Sequence, residues 1–580
     1  MTDQYYENEL RYLHEEGKRF AKKHPERARF LNIGSLKDRD PYVERLFEGF
    51  AFLCARINKR LDDSFPELST QLVNCLWPQF LQQIPSLCIM QFRPRGGMLQ
   101  KTHLIKKGTE ILSDVNDKRP VVCRFMTTQD VHVNPITLSS VRADQDACGK
   151  GRLTLDFRTD PAVMTDFLHL FPIRIYLHGS LTSSIQLREL LMEHVAEARL
   201  TAQGTDEALD PNTFIRQANL SEQESLLPPV NSTSHHFSLL RDLFAYPEKF
   251  LFVDLFGSDN TDLTRSLPQN FSIHMRFDSP IKTASEISKE NFKLHCSPAV
   301  NLFCKDTEPI VNNGSRSEHL VIPDSRDTSH YSIFDLISVT GTDCKSGKRH
   351  DYRRYNEFTS CPQSSQRYFT TRQSDDAGGE RKVYLALKGN QTRNGRIIEE
   401  NLHIEAWQTN GFTPRNRIGE DEITLPAKGF PDFITFSNIT RPTSPVTLNQ
   451  SGHSQWIFIS HLNSTLSNLR TAEHLKRFLN NFNIAQDTSV KTKIDSVERV
   501  KLQGSERALG GAVIRGLEMR IGIKESGFQN RGEIHLFGTV LGESLAGMVS
   551  INSFLRLTME LIPSEQLFTW DWREGTRWTI

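Results

Sequence analysis

Tyr6, Leu10, Leu13, Gly17 and Phe20 recur at steps of four and three, with Glu7, Glu9, Arg11, Glu15 and Lys18 on the other faces. This is the spacing of an amphipathic helix whose stripe needs a partner. Pro25 ends or bends it. A second helix is expected from Asp40-Pro41, a cap and first-turn pair, through Val43, Leu46, Phe47, Phe50, Leu53, Ile57 and Leu61. A third follows Phe65-Pro66, carries Leu68, Leu72 and Leu76, and stops near Trp77-Pro78. From Ser86 the period changes to two. Cys88–Phe92, Arg152–Phe157 and Ile173–Leu177 alternate as half-buried strands between turn residues. A helix fits Ile185 to Leu200, with Leu187, Leu190, Leu191, His194 and Val195 on one side. Residues 201–235 are polar and broken by Gly204, Asp210-Pro211 and Pro228-Pro229, which reads as a mobile or partner-ordered connection. Strand alternation returns at 271–276, 383–387, 402–407 and 455–460, with Arg372–Glu380 as an exposed hairpin tip or loop. The last 120 or so residues predict a helix through Leu466, Leu469, Leu475, Phe478, Leu479 and Phe482. Strands near 514–523 and 533–537 and a final amphipathic helix from Phe537 to Phe554 complete that part.

The class is therefore α+β and multidomain: an N-terminal helical region, then β-rich domains, then a mixed α/β C-terminal region. The expected segments are a helical bundle at 1–85, a β-rich domain with a closing helix at 86–200 and a polar connection at 201–240. A β-rich, arm-like middle at 241–460 and a mixed C-terminal domain at 461–580 follow. No internal repeat of ~20–50 residues is visible, which argues against solenoids and propellers.

Composition narrows the function. The 580 residues carry 70 Lys+Arg and 70 Asp+Glu, a formal net charge of zero, so no global field holds the chain on nucleic acid or an anionic membrane. Near neutrality also gives little electrostatic protection against association. The first seven residues lack a basic stretch followed by an apolar run, so no secretory signal is expected there, and no apolar run approaches the ~20 residues of a membrane span. Nine cysteines, widely spread and without a Cys-x-x-Cys pair, read as reduced thiols.

A search for catalytic constellations finds little. Gly341–Arg349 resembles a phosphate loop with one residue too many between the glycines and Arg349 where Ser or Thr belongs, so an extended surface loop is expected. His14-Glu15-Glu16-Gly17 begins like a zinc-protease helix, but Lys18 stands where the second histidine is needed. No nucleophile elbow or dinucleotide fingerprint occurs. His235-His236, Cys296 and Cys304 do not offer four ligands at metal spacing, and neighbouring carboxylates such as Asp62-Asp63 and Glu399-Glu400 diverge by about 100° on a helix. The basic stretch Lys345–Arg354 lacks a stacking platform beyond Tyr352 and Tyr355. No catalytic, cofactor or metal residues are assigned.

Tyr5-Tyr6-Glu7-Asn8-Glu9-Leu10, Phe20-Ala21, His24-Pro25 and Asp40-Pro41-Tyr42-Val43-Glu44-Arg45-Leu46 resemble the opening signature of the TssF (VasA or ImpG) family. Phe50-Ala51-Phe52-Leu53, Ala55-Arg56-Ile57, Leu61-Asp62-Asp63, Phe65-Pro66-Glu67-Leu68 and Pro85-Ser86 continue it. Pro298–Phe303, Glu308-Pro309-Ile310, Val339-Thr340-Gly341 and Ser550–Phe554 extend it along the chain. Physically, Phe50, Phe52 and Leu53 read as core-filling residues. The resemblance implies a cytoplasmic, non-enzymatic wedge subunit of the type VI secretion baseplate, without cofactor, docked through the baseplate at the inner face of the bacterial inner membrane. The implied partners are TssG, with two copies of this chain per TssG, then TssK, the VgrG hub, TssE and the sheath, and a second copy of itself. Nucleic-acid binding and membrane insertion are not expected. Tyr6, Leu10, Leu13 and Phe20 are then candidate partner contacts. Trp570 and Trp572 are further candidates, because aromatics dominate interface hot spots; the edge of a core is the other reading for them. A carbohydrate-binding or hydrolytic β-rich enzyme is the alternative, recognisable by a deep pocket with two carboxyl groups ~5–9.5 Å apart. A phage-derived tail component is a third.

Overall fold

In the computed structural model, residues 6, 10–13, 41–63, 72–73, 80, 82–114, 121–160, 171–202, 205–228, 235–257, 269–281, 286–325, 330–355, 367–375, 381–389, 398–446, 466–509 and 512–575 are described. The chain divides into two compact units, Met1–Leu81 with Asn449–Asn463, and Gln82–Leu448 with Ser464–Ile580.

In the first unit the expected second helix is α1, Pro41–Asp63. Pro41 opens it because proline lacks an N–H that the first turn would leave unbonded anyway. Tyr6 and Leu10–Leu13 are helical, as are Leu72 and Val73; the rest of the expected third helix and the strand expected at 455–460 lie outside the described residues.

The second unit is built on a six-stranded sheet in the order Leu425–Pro426, Glu110–Leu112, Arg124–Thr127, Cys296–Val300, Leu87–Pro94, Ile434–Asn438. Leu87 faces Val300 and Gln91 faces Cys296 across one antiparallel ladder, and Met90 faces Asn438 across the next. Met90, Phe92, Ile111, Phe125, Ile434 and Phe436 form its core. Strands more than 300 residues apart thus share one sheet, so the expected division between 86–200 and 241–460 does not follow the strand pairing. The connection expected at 201–240 is also structured. It contains strands Thr205–Leu209 and Ile215–Gln217, and it buries Leu209, Phe214, Leu226 and Leu227. Polar Asp206, Thr213 and Arg216 stay exposed along it while these apolar ones reach inward.

Helix α2, Leu181–Glu193, is shorter than expected. Ser180 caps it by accepting from the Ser183 N–H at 3.2 Å. Val195–Ala202 is a strand, because Ala198, Leu200 and Ala202 point inward at period two and pair with Asn270–Phe277. His194, at the junction, pairs its Nδ1 with Asp278 Oδ1 at 2.8 Å. Helix α3, His235–Ala245, follows.

Residues 303–409 make a separate curled sheet from β1 (Phe303–Asp306), β2 (Ile310–Asn312), β3 (His319–Leu320), β4 (Ser332–Asp343), β5 (Arg349–Arg354), β6 (Tyr368–Asp375), β7 (Arg381–Lys388) and β8 (Glu400–Thr409). The order is β1-β8-β4-β5-β6-β7-β3, with β2 also on β8. Hydrogen bonds from Glu308 N to Ile322 O (3.0 Å) and from Val321 N to Val383 O (2.9 Å) bridge the two edges. Val339, Tyr352, Phe369, Leu385 and Ile404 fill the inside. Gly341 is required there: a Cβ would stand 2.8 Å from Glu400 Oε2 and 2.9 Å from the Tyr352 ring. Glu400, fully buried, is held by Tyr352 and Arg367. The phosphate-loop-like Gly341–Arg349 forms the β4–β5 turn.

The C-terminal part holds α4 (Ala472–Asn480), α5 (Thr488–Asp495), β9 (Val497–Leu509), β10 (Ala512–Lys524), α6 (Arg531–Ala546) and β11 (Phe554–Ile562). β11 runs parallel to β10, which requires a crossover, and α6 supplies it. The expected strand at 533–537 and amphipathic helix at 537–554 are corrected to this one helix. All of α6 but Arg531 and Glu543 is buried, against α2 and α3 on one side and β11 on the other. Its glycines allow the approach, since a Cβ on Gly532 would meet Ile185 O at 2.8 Å.

Candidate partner-binding surfaces

A surface helix ordinarily turns its large apolar residues inward. α1 does the reverse. At 100° per residue Tyr42, Leu46, Phe50 and Leu53 share one stripe, and they are 80, 68, 56 and 55% exposed. Ala51 and Ala55, on the opposite side, are fully buried. Phe52 is 52% exposed beside the stripe. The expectation that Phe50, Phe52 and Leu53 fill a core is therefore overturned: the small residues take the inside and the large ones face out. A contiguous apolar stripe of this kind marks an interaction site. Tyr6, Leu10 and Leu13 are helical and half-buried, while Phe20 lies outside the described residues.

The two candidate tryptophans differ. Trp570 is 9% exposed, donates its indole N–H to Thr539 Oγ1 at 3.1 Å and stacks on His535 with centroids 5.5 Å apart. Its ring lies over Gly538, where a Cβ would come within 2.1 Å. This is a core side chain, which favours the second of the two sequence readings. Trp572 is half-buried, edge-on to Phe554 at 4.5 Å, with the Arg556 guanidinium 4.8 Å from its ring centroid.

A cavity of about 700 Å³ in the second unit contains Lys107, Asp130, Arg174, Glu224 and His295. Its charges are tied to one another. Arg174 bridges Asp254 and Glu224, each at 2.7 Å. Burial pushes the Glu224 carboxyl up, but Arg174 outweighs it and holds the group below the usual range. Asp130 accepts from the Lys107 backbone N–H at 2.7 Å, and the Lys107 ammonium donates to Gln223 O. Among the described residues no His, Cys, Asp and Glu group is disposed to hold a metal ion, and no helix is long and apolar enough to cross a membrane.

His295 makes the cavity wall sensitive to pH. It is 8% exposed, in left-handed backbone (φ 55°), and its Nε2 accepts from the Asn134 N–H at 3.1 Å. Burial, partly opposed by a bond to the Phe92 backbone, lowers its pKa from 6.5 to about 4. The unfolded chain takes up the proton first, so stability is full above pH ~6.5 and falls by about 3 kcal/mol as pH drops through the window to ~4. Denaturation midpoints measured across that window should fall accordingly. In His295→Asn, whose side chain tolerates the left-handed backbone, the slope should be visibly shallower; an unchanged slope would assign the acid lability elsewhere.

The model of the family described as "Type VI secretion system, TssF" matches residues 1–577. The chain belongs to the TssF family. A relative from Pseudomonas aeruginosa PAO1, "Type VI secretion system component TssF1", is 26% identical over an alignment of 618 positions, covering 99% of this chain and 98% of the relative. Two solved structures are similar over most of their length. A chain of the type VI secretion TssK-TssF-TssG baseplate subcomplex aligns with a TM-score of 0.77 at 27% identity, over 92% of this chain and 99% of that one. A chain of the baseplate complex from the type VI secretion system aligns with a TM-score of 0.66 at 26% identity, over all of both. As a TssF-family member the chain has a structural role in the baseplate. The exposed α1 stripe lies within two of the blocks that resemble the family, Asp40–Leu46 and Phe50–Leu53.

Proposed function

We propose that this chain is a wedge subunit of a type VI secretion baseplate, binding TssG, and with it TssK, through the outward stripe of α1. The observation that supports this is the stripe itself: four large apolar side chains more than half exposed over three turns of one helix. Tyr6, Leu10 and Leu13 are assigned to the same contact, as is Phe20, which lies outside the described residues. Two copies of this chain per TssG then need two such stripes covered, which one partner with two apolar grooves can do. Trp572 is a secondary anchor. Around the VgrG hub, with TssE and the sheath above and the inner face of the inner membrane below, the subunit acts by holding parts in place rather than by chemistry.

The test is co-expression with TssG and TssK followed by native mass spectrometry of the purified material. The expected species contains two copies of this chain per TssG. Leu46→Asp together with Phe50→Asp buries two carboxylates in the contact and should weaken it by roughly 100-fold or more, with the circular dichroism of the chain unchanged. A folded double variant that still co-purifies at wild-type yield would sink the assignment of the stripe. A wild-type chain that ignores both partners would sink the wedge reading.

A further inference from the structure

The curled sheet carries an unneutralised row of charges on its outer face. Its registers place Asp306 opposite Glu405, Glu405 opposite Ser338, Arg353 opposite Tyr368 and Tyr368 opposite Lys388. The pairing of Val339 with Tyr352 sets Ser338 beside Arg353. One line across six strands therefore reads Asp306, Glu405, Ser338, Arg353, Tyr368, Lys388, acidic at one end and cationic at the other. These residues alternate with the buried Ile404, Val339, Tyr352 and Phe369, which fixes them on the outside.

The row does not neutralise itself. Among the described residues the Asp306 carboxylate meets only His403, at 3.4 Å, and Glu405 accepts from the Ser338 hydroxyl at 3.3 Å and the Cys304 thiol at 3.1 Å. Among the described residues neither carboxylate has a lysine or arginine within ion-pair distance, and neither Arg353 nor Lys388 has a carboxylate; the Lys388 ammonium rests 5.0 Å from the Tyr355 ring centroid. Arg353 stands three strand steps from Asp306 and Lys388 five, about 14 and 24 Å along the sheet at ~4.8 Å per step. Both separations exceed the ~8 Å screening length at physiological salt. Elsewhere on the same sheet exposed charges do pair, as Arg372 does with Glu318.

We propose that this row is a head-to-tail contact between two copies of this chain, the Asp306–Glu405 end of one sheet seated on the Arg353–Lys388 end of the next. The two ends complement each other in sign, and Tyr355 and Tyr368 supply aromatic surface at the cationic end. A contact between two different patches of one surface is heterologous, so it propagates into a ring or a filament rather than stopping at a dimer. It uses no part of the α1 stripe, so this inference and the wedge reading fail separately.

Sedimentation velocity of the full chain at about 50 mM salt tests it, where screening is weak. The wild type should self-associate, and the association should weaken about tenfold or more at ~0.5 M salt. R353E with K388E makes both ends acidic; D306K with E405K makes both cationic. Each variant alone should associate at least ~10-fold more weakly, and an equimolar mixture should recover complexes containing both. D306K alone, at a more than half-exposed position, gives the same test with little risk to folding, which thermal melts check. A wild type that stays monomeric to ~100 μM at low salt, variants that associate as the wild type does, or a mixture no tighter than its components would each overturn the proposal.

Discussion

Asp242→Asn is expected to lose about 3–5 kcal/mol of stability in the second unit, read as a lower midpoint in urea with an unchanged slope. Asp242 lies on α3 with its carboxylate between Arg241 (3.0 Å) and Lys249 (2.8 Å), and all three side chains are at most 1% exposed. Burial pushes the carboxyl up, but Lys249 and then Arg241 outweigh it and hold it below the usual carboxylate range. Asparagine keeps the shape and one acceptor while removing the buried negative charge that Arg241 and Lys249 both face. The exposed Arg372–Glu318 pair on the curled sheet is the control. Arg372→Ala should cost less than about 1 kcal/mol, since solvent already screens that pair. Equal losses at the two sites would mean that the α3 cluster is hydrated in solution.

Trp570→Ala is expected to cost a similar ~3–5 kcal/mol, the loss for removing a buried aromatic with its cavity left behind. The side chain fills the space over Gly538 and satisfies the Thr539 hydroxyl, so its removal affects α6, to which α2, α3 and β11 are all packed. Gly538→Ala attacks the same contact from the other side. It should destabilise the wild type by about 1–3 kcal/mol through overpacking, yet be neutral or favourable in the Trp570→Ala background, where alanine's better helix propensity remains and the clash does not. That reversal of sign is a double-mutant measurement that an interface role for Trp570 would not produce. TssG binding by the folded fraction of Trp570→Ala should be normal.

Elements whose signal is local were legible in the sequence. The Asp40-Pro41 start of α1, the strand Asn270–Phe277 with its alternating burial, and the strand within 514–523 all follow from capping or from period two. Where a distant partner decides, the sequence misleads. Val195–Ala202 is composed of good helix formers, and it becomes a strand because Asn270–Phe277, some 70 residues on, offers it a ladder. α6 is buried almost all round, polar Glu533, His535, Thr539 and Ser544 included, so periodicity could not mark its start. The signal that could have done so is Asn530, which accepts from the Glu533 N–H at 2.8 Å, three residues into the helix. The stripe of α1 shows the same limit at the candidate site. Hydrophobicity identified Leu46, Phe50 and Leu53 as residues that need covering, but it does not say which chain covers them. The charged row on the curled sheet was invisible for a related reason, since Asp306, Glu405, Arg353 and Lys388 fall on one line only once five strand registers are known.

The first unit is drawn from both sides of the second, taking residues 1–81 and then 449–463. During synthesis α1 therefore leaves the ribosome nearly 400 residues before the later segment of its own unit exists. At ~5–20 residues per second this is a delay of roughly 20–80 s. Throughout that interval the chain holds α1 with the 449–463 segment of its unit still unmade. The large apolar side chains of its outward stripe are then exposed to whatever surrounds the ribosome. Whatever meets the nascent helix first, a chaperone or a partner translated nearby, acts before the fold is finished. The order of translation of the subunits then bears on how much of this protein reaches its assembled state.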